Sequence, residues 1–316
     1  MELGIRLPTQ GPLATPESLV AMAKRGEALG FSILSVPDHI VIPRTITSSY
    51  PYSESGTFSW ETGDCLEQLT TLSFLAGHAP SMRLLTSVMV LPHRSPVLTA
   101  KVLATIDVLS GGRLIVGCGV GWMREEFEAL GAPPFDERGA VADEYIRIFR
   151  ELWTSESPSF QGKYSRFANL TFEPRPVQKP HPPIWIGGES PAALRRAGRL
   201  GDGWYPLGRN PNFPVGTPEQ MSDATARVRR HAEEAGRDPG TIDLAYSPWG
   251  MNERQAEPGP DGERRRFTGD PQQVAGDIGA FEEVGVRHML FSFQGQTLEE
   301  GLERMEHFAD TVMARL

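Results

Sequence analysis

Asp38-His39 is the pair of residues in this chain best suited to handling a proton. An imidazole titrates near neutrality and can donate to or accept from an electron-rich ring, and an adjacent carboxylate can fix its tautomer. The same dipeptide could instead cap its own loop, so its place in the fold has to decide. Four further segments offer backbone or charge. Thr86-Ser87-Val88 puts small and medium side chains near the end of an apolar run, and Gly117-Cys118-Gly119-Val120-Gly121-Trp122 is a flexible turn that lets backbone approach a ligand. The stretch Ile184-Trp185-Ile186-Gly187-Gly188-Glu189-Ser190-Pro191 joins a strand end, two glycines and a capped helix start into a cradle for an anion. Gly201-Asp202-Gly203-Trp204 follows one helix later, with Arg209 able to add a positive charge or to sit solvated in a loop. Tyr50, Tyr52, Phe58, Trp60 and Trp122 supply enough aromatic surface for an apolar substrate pocket, although some could simply hold a loop down.

Gathering residues so far apart in sequence requires a scaffold with many strand ends on one face. Short β-branched or apolar runs at 3–7, 33–36, 84–91, 114–117, 184–187, 203–206, 242–246 and 288–293 predict eight strands. A helical stretch follows each, directly or beyond an insertion. Thr15-Pro16, Ser95-Pro96, Ser190-Pro191, Thr217-Pro218 and Asp270-Pro271 each read as a capping side chain followed by proline at the first helical position. Thr297 and Glu300 fit a capping box, and Gly30, Gly131, Gly236 and Gly285 fit left-handed helix ends. Leu19, Met22, Ala23, Gly26 and Leu29 share one stripe, as do Val141, Tyr145, Ile148, Phe149 and Leu152.

Strands without clean alternation, joined by one-faced helices, describe a parallel sheet covered by helices. The class is therefore α/β, and eight units predict closure into a single (β/α)8 TIM barrel over residues 1–316. An open doubly wound sheet is the alternative. It would want a glycine-rich dinucleotide turn where this chain has Pro8-Thr9-Gln10-Gly11-Pro12. In a barrel the candidate residues fall on the C-terminal face, beside three insertions: a lid at about 41–61, a hairpin at about 160–183 and a loop at about 247–267.

The length of 316 residues suits one barrel, and 39% apolar residues plus 33 Gly supply a sizeable core. A net charge of −9 argues against nucleic acid as a partner. No apolar run approaches the roughly 20 residues that span a bilayer, and Met1-Glu2-Leu3-Gly4-Ile5-Arg6 lacks a leader pattern, so a cytoplasmic location without membrane contact is expected. Cys65 and Cys118 are too few and too scattered for disulfides or a thiolate metal site. The seven His do not pair in sequence, and no metal site is expected. A nucleophile elbow and a P-loop are both missing.

The order Asp38-His39, Thr86-Ser87-Val88, Gly117-x-Gly119, residues 184–188 and Ala197-Gly198-Arg199-Leu200-Gly201-Asp202-Gly203-Trp204 resembles the bacterial luciferase-like superfamily over nearly the whole chain. Thr268-Gly269-Asp270-Pro271-Gln272-Gln273-Val274 looks like that family's C-terminal signature. Within it the chain looks most like the branch using the deazaflavin coenzyme F420, with FMN-dependent monooxygenases as close cousins. The resemblance implies a tricyclic ring in the barrel mouth and a phosphate near strands five and six. It implies His39 at the ring with Asp38 beside it, and a non-prolyl cis bond at Ser87-Val88. Ser87, Val88, Gly117, Gly119, Gly187, Gly188, Glu189, Gly203, Trp204 and Arg209 are the cofactor-binding candidates, and Tyr50, Tyr52, Trp60 and Trp122 the substrate pocket.

Hydride exchange between F420 and a small organic molecule is the expected reaction. An enzyme taking reduced FMN from a separate reductase and activating dioxygen is the alternative, and a noncatalytic flavin-binding barrel is a third reading. Relatives also suggest a homodimer. One departure stands out: sugar-phosphate dehydrogenases of the deazaflavin branch carry a glutamate after the Gly-x-Gly turn, where this chain has Val120. Without that carboxylate, His39 or a lid group is expected to handle the proton.

Overall fold

Eight apolar strands form where the runs predict them: β1 (Glu2–Arg6), β2 (Ile33–Val36), β3 (Arg83–Thr86), β4 (Leu114–Gly119), β5 (Ile184–Gly187), β6 (Gly203–Tyr205), β7 (Asp243–Tyr246) and β8 (His288–Ser292). The computed structural model describes residues 1–58, 63–248, 250–259 and 262–316. Each strand pairs in parallel with the next, and β8 pairs back onto β1, with Glu2 opposite His288 and Arg6 opposite Ser292. This closure makes a (β/α)8 barrel and excludes the open sheet. It also leaves no unpaired barrel edge.

Helices cover the outside: α1 (Pro16–Ala28), α2 (Gln68–Leu75), α3 (Pro96–Leu109), α4 (Arg124–Leu130), α5 (Arg138–Thr154), α6 (Pro191–Leu200), α7 (Pro218–Glu234), α8 (Pro271–Glu283) and α9 (Leu298–Thr311). Thr15, Ser190, Thr217 and Asp270 cap their helices through the side chain, and Asp270 completes a capping box with Gln273. Ser95 is the exception: its side chain makes no cap hydrogen bond. Thr297 caps Glu300, but the Glu300 carboxylate takes the N–H of Gln296 instead of closing the box.

Inside the barrel lie Ile33, Leu85, Ile115, Trp185, Tyr205, Ala245 and Leu290, covered by Val88. Strand β1 contributes Gly4, because a Cβ there would lie 2.9 Å from the Ile33 Cβ. Gly203 is small for a similar reason: its Cβ would fall 2.4 Å from the Trp185 ring. Small and large residues thus alternate to fill the taper.

The third strand is shorter than its apolar run. It breaks after Thr86 at a cis Ser87-Val88 bond, and Met89–Val90 then pairs with Cys118 and Gly119 of β4. Residues 160–161 and 166–167 form a two-stranded antiparallel hairpin. Its turn is held by the buried Glu144 carboxylate, which accepts the N–H groups of Lys163, Tyr164 and Ser165. No helix among the described residues is long and apolar enough to cross a membrane.

Candidate active site

His39 follows β2 onto the C-terminal rim, and its partner there is Glu126 in the first turn of α4. His39 Nδ1 lies 2.8 Å from Glu126 Oε2, whose side chain is 1% exposed. The other oxygen, Oε1, accepts the N–H of Ile40 at 2.8 Å and of Val41 at 3.3 Å. Burial alone would raise the Glu126 carboxyl, but the His39 hydrogen bond, the charges of His39 and His93 and the Ile40 N–H outweigh it and hold the carboxyl below its ordinary range. An imidazole on a buried carboxylate is oriented and kept as a donor at Nδ1.

Asp38 does a different job from the tautomer control its position suggested. Its fully buried side chain receives both arms of Arg94, each at 2.8 Å, and the N–H of Val90 at 2.8 Å. Arg94 also reaches Glu67, the N-cap of α2, at 2.7 Å. A bidentate pair of this kind fixes geometry. Asp38 therefore ties the rim after β2 to the bend after β3.

That bend explains the glycines. Val88 projects between β4 and β5, so a Cβ on Gly119 would lie 2.7 Å from one Val88 methyl and a Cβ on Gly187 2.9 Å from the other. Gly117 faces the Thr86 carbonyl, which would be 2.0 Å from its Cβ. These three glycines admit the bend itself. Ser87 Oγ lies 3.0 Å from the Tyr205 hydroxyl, and burial pushes that phenol up.

Gly188 turns with a φ of 96°, and its carbonyl accepts the indole N–H of the fully buried Trp204. Glu189 is spent on the loop after β6: its carboxylate accepts Leu207 N–H at 2.7 Å and Asn210 Nδ2 at 2.9 Å. Burial raises this carboxyl despite those bonds, and it also pushes the neighbouring Tyr52 phenol well up, with Glu189 adding to the effect.

The lid closes over His39 with aromatic rings. Tyr50, Phe58 and Trp122 lie with centroids 5.0 Å apart in each pairing, and Phe58 and Trp122 sit 5.6 and 6.4 Å from the His39 ring. Glu125 fastens the lid by accepting the N–H groups of Thr47 and Ser48. Trp60 lies outside the described residues. Beyond Tyr52 a cleft of about 1950 Å³ runs past Arg209, Asn210, Thr217 and Gln220 to the loop carrying Arg264, Arg265 and Arg266.

Residues 1–249 match the model of the luciferase-like monooxygenase family. The chain belongs to that family. Among luciferase-like relatives, an FMNH(2)-dependent dimethylsulfone monooxygenase of Pseudomonas fluorescens is 30% identical over 262 residues, covering 69% of each chain. The monooxygenase RslO1 of Streptomyces bottropensis superposes with a TM-score of 0.77 at 25% identity, covering 99% of both chains. An F420-dependent secondary alcohol dehydrogenase shares the fold, with a TM-score of 0.75 at 17% identity over 100% of this chain and 99% of that one. The chain is thus an enzyme of the luciferase-like type.

The mouth offers a flat ring both apolar and polar surroundings. Val88 gives an apolar floor, and Ser87 and Tyr205 give hydroxyls that are paired with each other, while the cleft beyond Tyr52 is lined by none of these three residues. Glu126, Arg94, Glu67 and His93 escaped the sequence reading. Their one signal was position at strand ends and in the first helical turn beyond, which is faint in a chain with 40 Asp and Glu. Glu126, seven residues beyond Gly119, brings to His39 a carboxylate that Val120 does not supply.

Proposed function

We propose that this luciferase-like enzyme is an F420-dependent oxidoreductase that exchanges a hydride with a small organic substrate, His39 handling the accompanying proton. The observation carrying this reading is the His39–Glu126 pair, 2.8 Å apart on the barrel rim. Bound F420 would supply two-electron hydride chemistry. Glu126 holds Nδ1, so Nε2 is the nitrogen that exchanges a proton with the substrate. Tyr50, Phe58 and Trp122 exclude water and line the substrate pocket together with Tyr52. Asp38 acts through Arg94, fixing the rim on which His39 sits. Arg209 offers charge to the phosphate, and Glu189 shapes the loop that presents it, whereas Arg264 and Arg266 are paired with Asp277 and Arg265 with Glu257.

Titration of the ligand-free protein with oxidised F420 and with FMN, each followed by fluorescence, tests the cofactor. Tight F420 binding with FMN excluded supports the reading; the reverse overturns it. His39→Ala is expected to keep cofactor affinity and cut turnover by about 10²-fold or more. The dimethylsulfone monooxygenase likeness favours a second reading, oxygenation with reduced FMN delivered by a partner reductase. Dioxygen uptake dependent on such a reductase would select it.

The enzyme would act as a homodimer. Phe74 on α2 and Leu98 and Leu109 on α3 are 42%, 63% and 67% exposed on two helices that pack together, and the whole of α2 carries no charge. A second copy presenting the same face would cover them.

A further inference from the structure

His93 is buried beside the His39–Glu126 pair. Its side chain is 2% exposed, and among the described residues neither ring nitrogen has a hydrogen-bond partner. An unpaired polar group in the interior costs free energy that an apolar residue of the same shape would not. The ring packs edge-on against Phe127, with centroids 4.7 Å apart, which holds it where it is. Its Nδ1 faces Glu126 Oε1 at 3.9 Å, while His39 holds Oε2 of the same carboxylate. The charged groups around it are Glu126 from α4, Asp38 and His39 from the rim after β2, and its neighbour Arg94. Asp38 is taken up by Arg94, and Arg94 by Asp38 and Glu67, so Glu126 is the group His93 can influence. Cys65 also lies near Glu126 and Asp38, and burial pushes its thiol up to about 11, which keeps it neutral.

We infer that His93 is a positioning residue that sets the proton affinity of His39 through their shared carboxylate, Glu126. A donor at His93 Nδ1 offsets part of the Glu126 charge that His39 would otherwise feel whole. Burial holds His93 below the ordinary imidazole range, so it stays neutral at neutral pH and leaves most of that charge to His39. As the pH falls and His93 gains a proton, it competes for the carboxylate, and His39 binds its own proton less tightly. The inference draws its catalytic meaning from the reading of His39 as the proton-handling group, but its test does not pass through that reading.

The experiment is NMR of the full-length, cofactor-free protein with ¹³C,¹⁵N-labelled histidine, titrated with acid and assigned by single substitutions. In the wild type, His93 is expected neutral with its proton on Nδ1, facing Glu126. Glu126→Gln should move the His39 titration to lower pH, the direction expected when an opposite charge within about 4–6 Å is removed. His93→Leu should move it to higher pH by a resolvable fraction of that shift. His93→Gln keeps an N–H donor and should restore the wild-type value. A His93 proton on Nε2, or a His39 titration unmoved by His93→Leu, overturns the inference. Should His93→Leu not fold, the wild-type tautomer decides alone. Failure of F420 to bind would overturn the cofactor reading and leave this result standing.

Discussion

Glu126 is the residue on which the site turns, because its buried carboxylate meets both the His39 ring and the backbone that follows it. Glu126→Gln removes the charge while keeping the size. Turnover is expected to fall by about 10²-fold in steady-state assays with the identified cofactor, since the imidazole loses the anion that supports its protonated form. The same carboxylate contributes to stability with a definite sign. Its folded pKa is depressed below the ordinary carboxylate value, so its contribution is fully present above about pH 4.3 and is lost as the pH falls through the lower folded value. Urea unfolding should therefore show a wider gap between wild type and Glu126→Gln at pH 7 than at pH 3. A gap independent of pH would mean that the hydrogen bonds, and not the charge, carry the effect.

At the scale of elements, the break in the third strand and the glycines of β4 and β5 form one unit. Gly187→Ala would drive a Cβ to 2.9 Å from a Val88 methyl, and overpacking of this kind costs about 1–3 kcal/mol. Adding Val88→Ala should recover most of that loss in thermal melts, a coupling visible in a double-mutant cycle. Gly117→Ala meets the Thr86 carbonyl at 2.0 Å, which is backbone, so Val88→Ala should not rescue it. The lid is a second unit, fastened to α4 through Glu125. Glu125→Ala should speed amide exchange at Thr47 and Ser48, while the barrel strands keep their protection. Unchanged exchange at those two amides would show that the aromatic packing of Tyr50, Phe58 and Trp122 holds the lid by itself.

For the whole molecule, the exposed apolar face of α2 and α3 predicts a sedimentation mass near twice the 34.8 kDa of the chain. Leu98→Glu combined with Leu109→Glu should return it to the monomer without loss of helicity. The barrel itself is legible in the sequence. Strand positions follow from apolar runs, helix starts from side-chain caps and proline, and closure from eight repeating units, because these are local preferences written over short stretches. The site was legible only in outline. His39 could be placed on the rim because that rim lies where β2 ends, but its partner Glu126 stands 87 residues away, on a helix brought alongside by barrel closure. Gly119 and Gly187 read as room for a ligand, and the structure fills that room with Val88. Glu189 read as part of an anion cradle, and the structure spends it on Leu207 and Asn210. Residue type and local spacing determined which groups stand at strand ends. Which carboxylate meets which imidazole was decided by tertiary packing alone, since a hydrogen bond between distant segments leaves no periodicity in the chain.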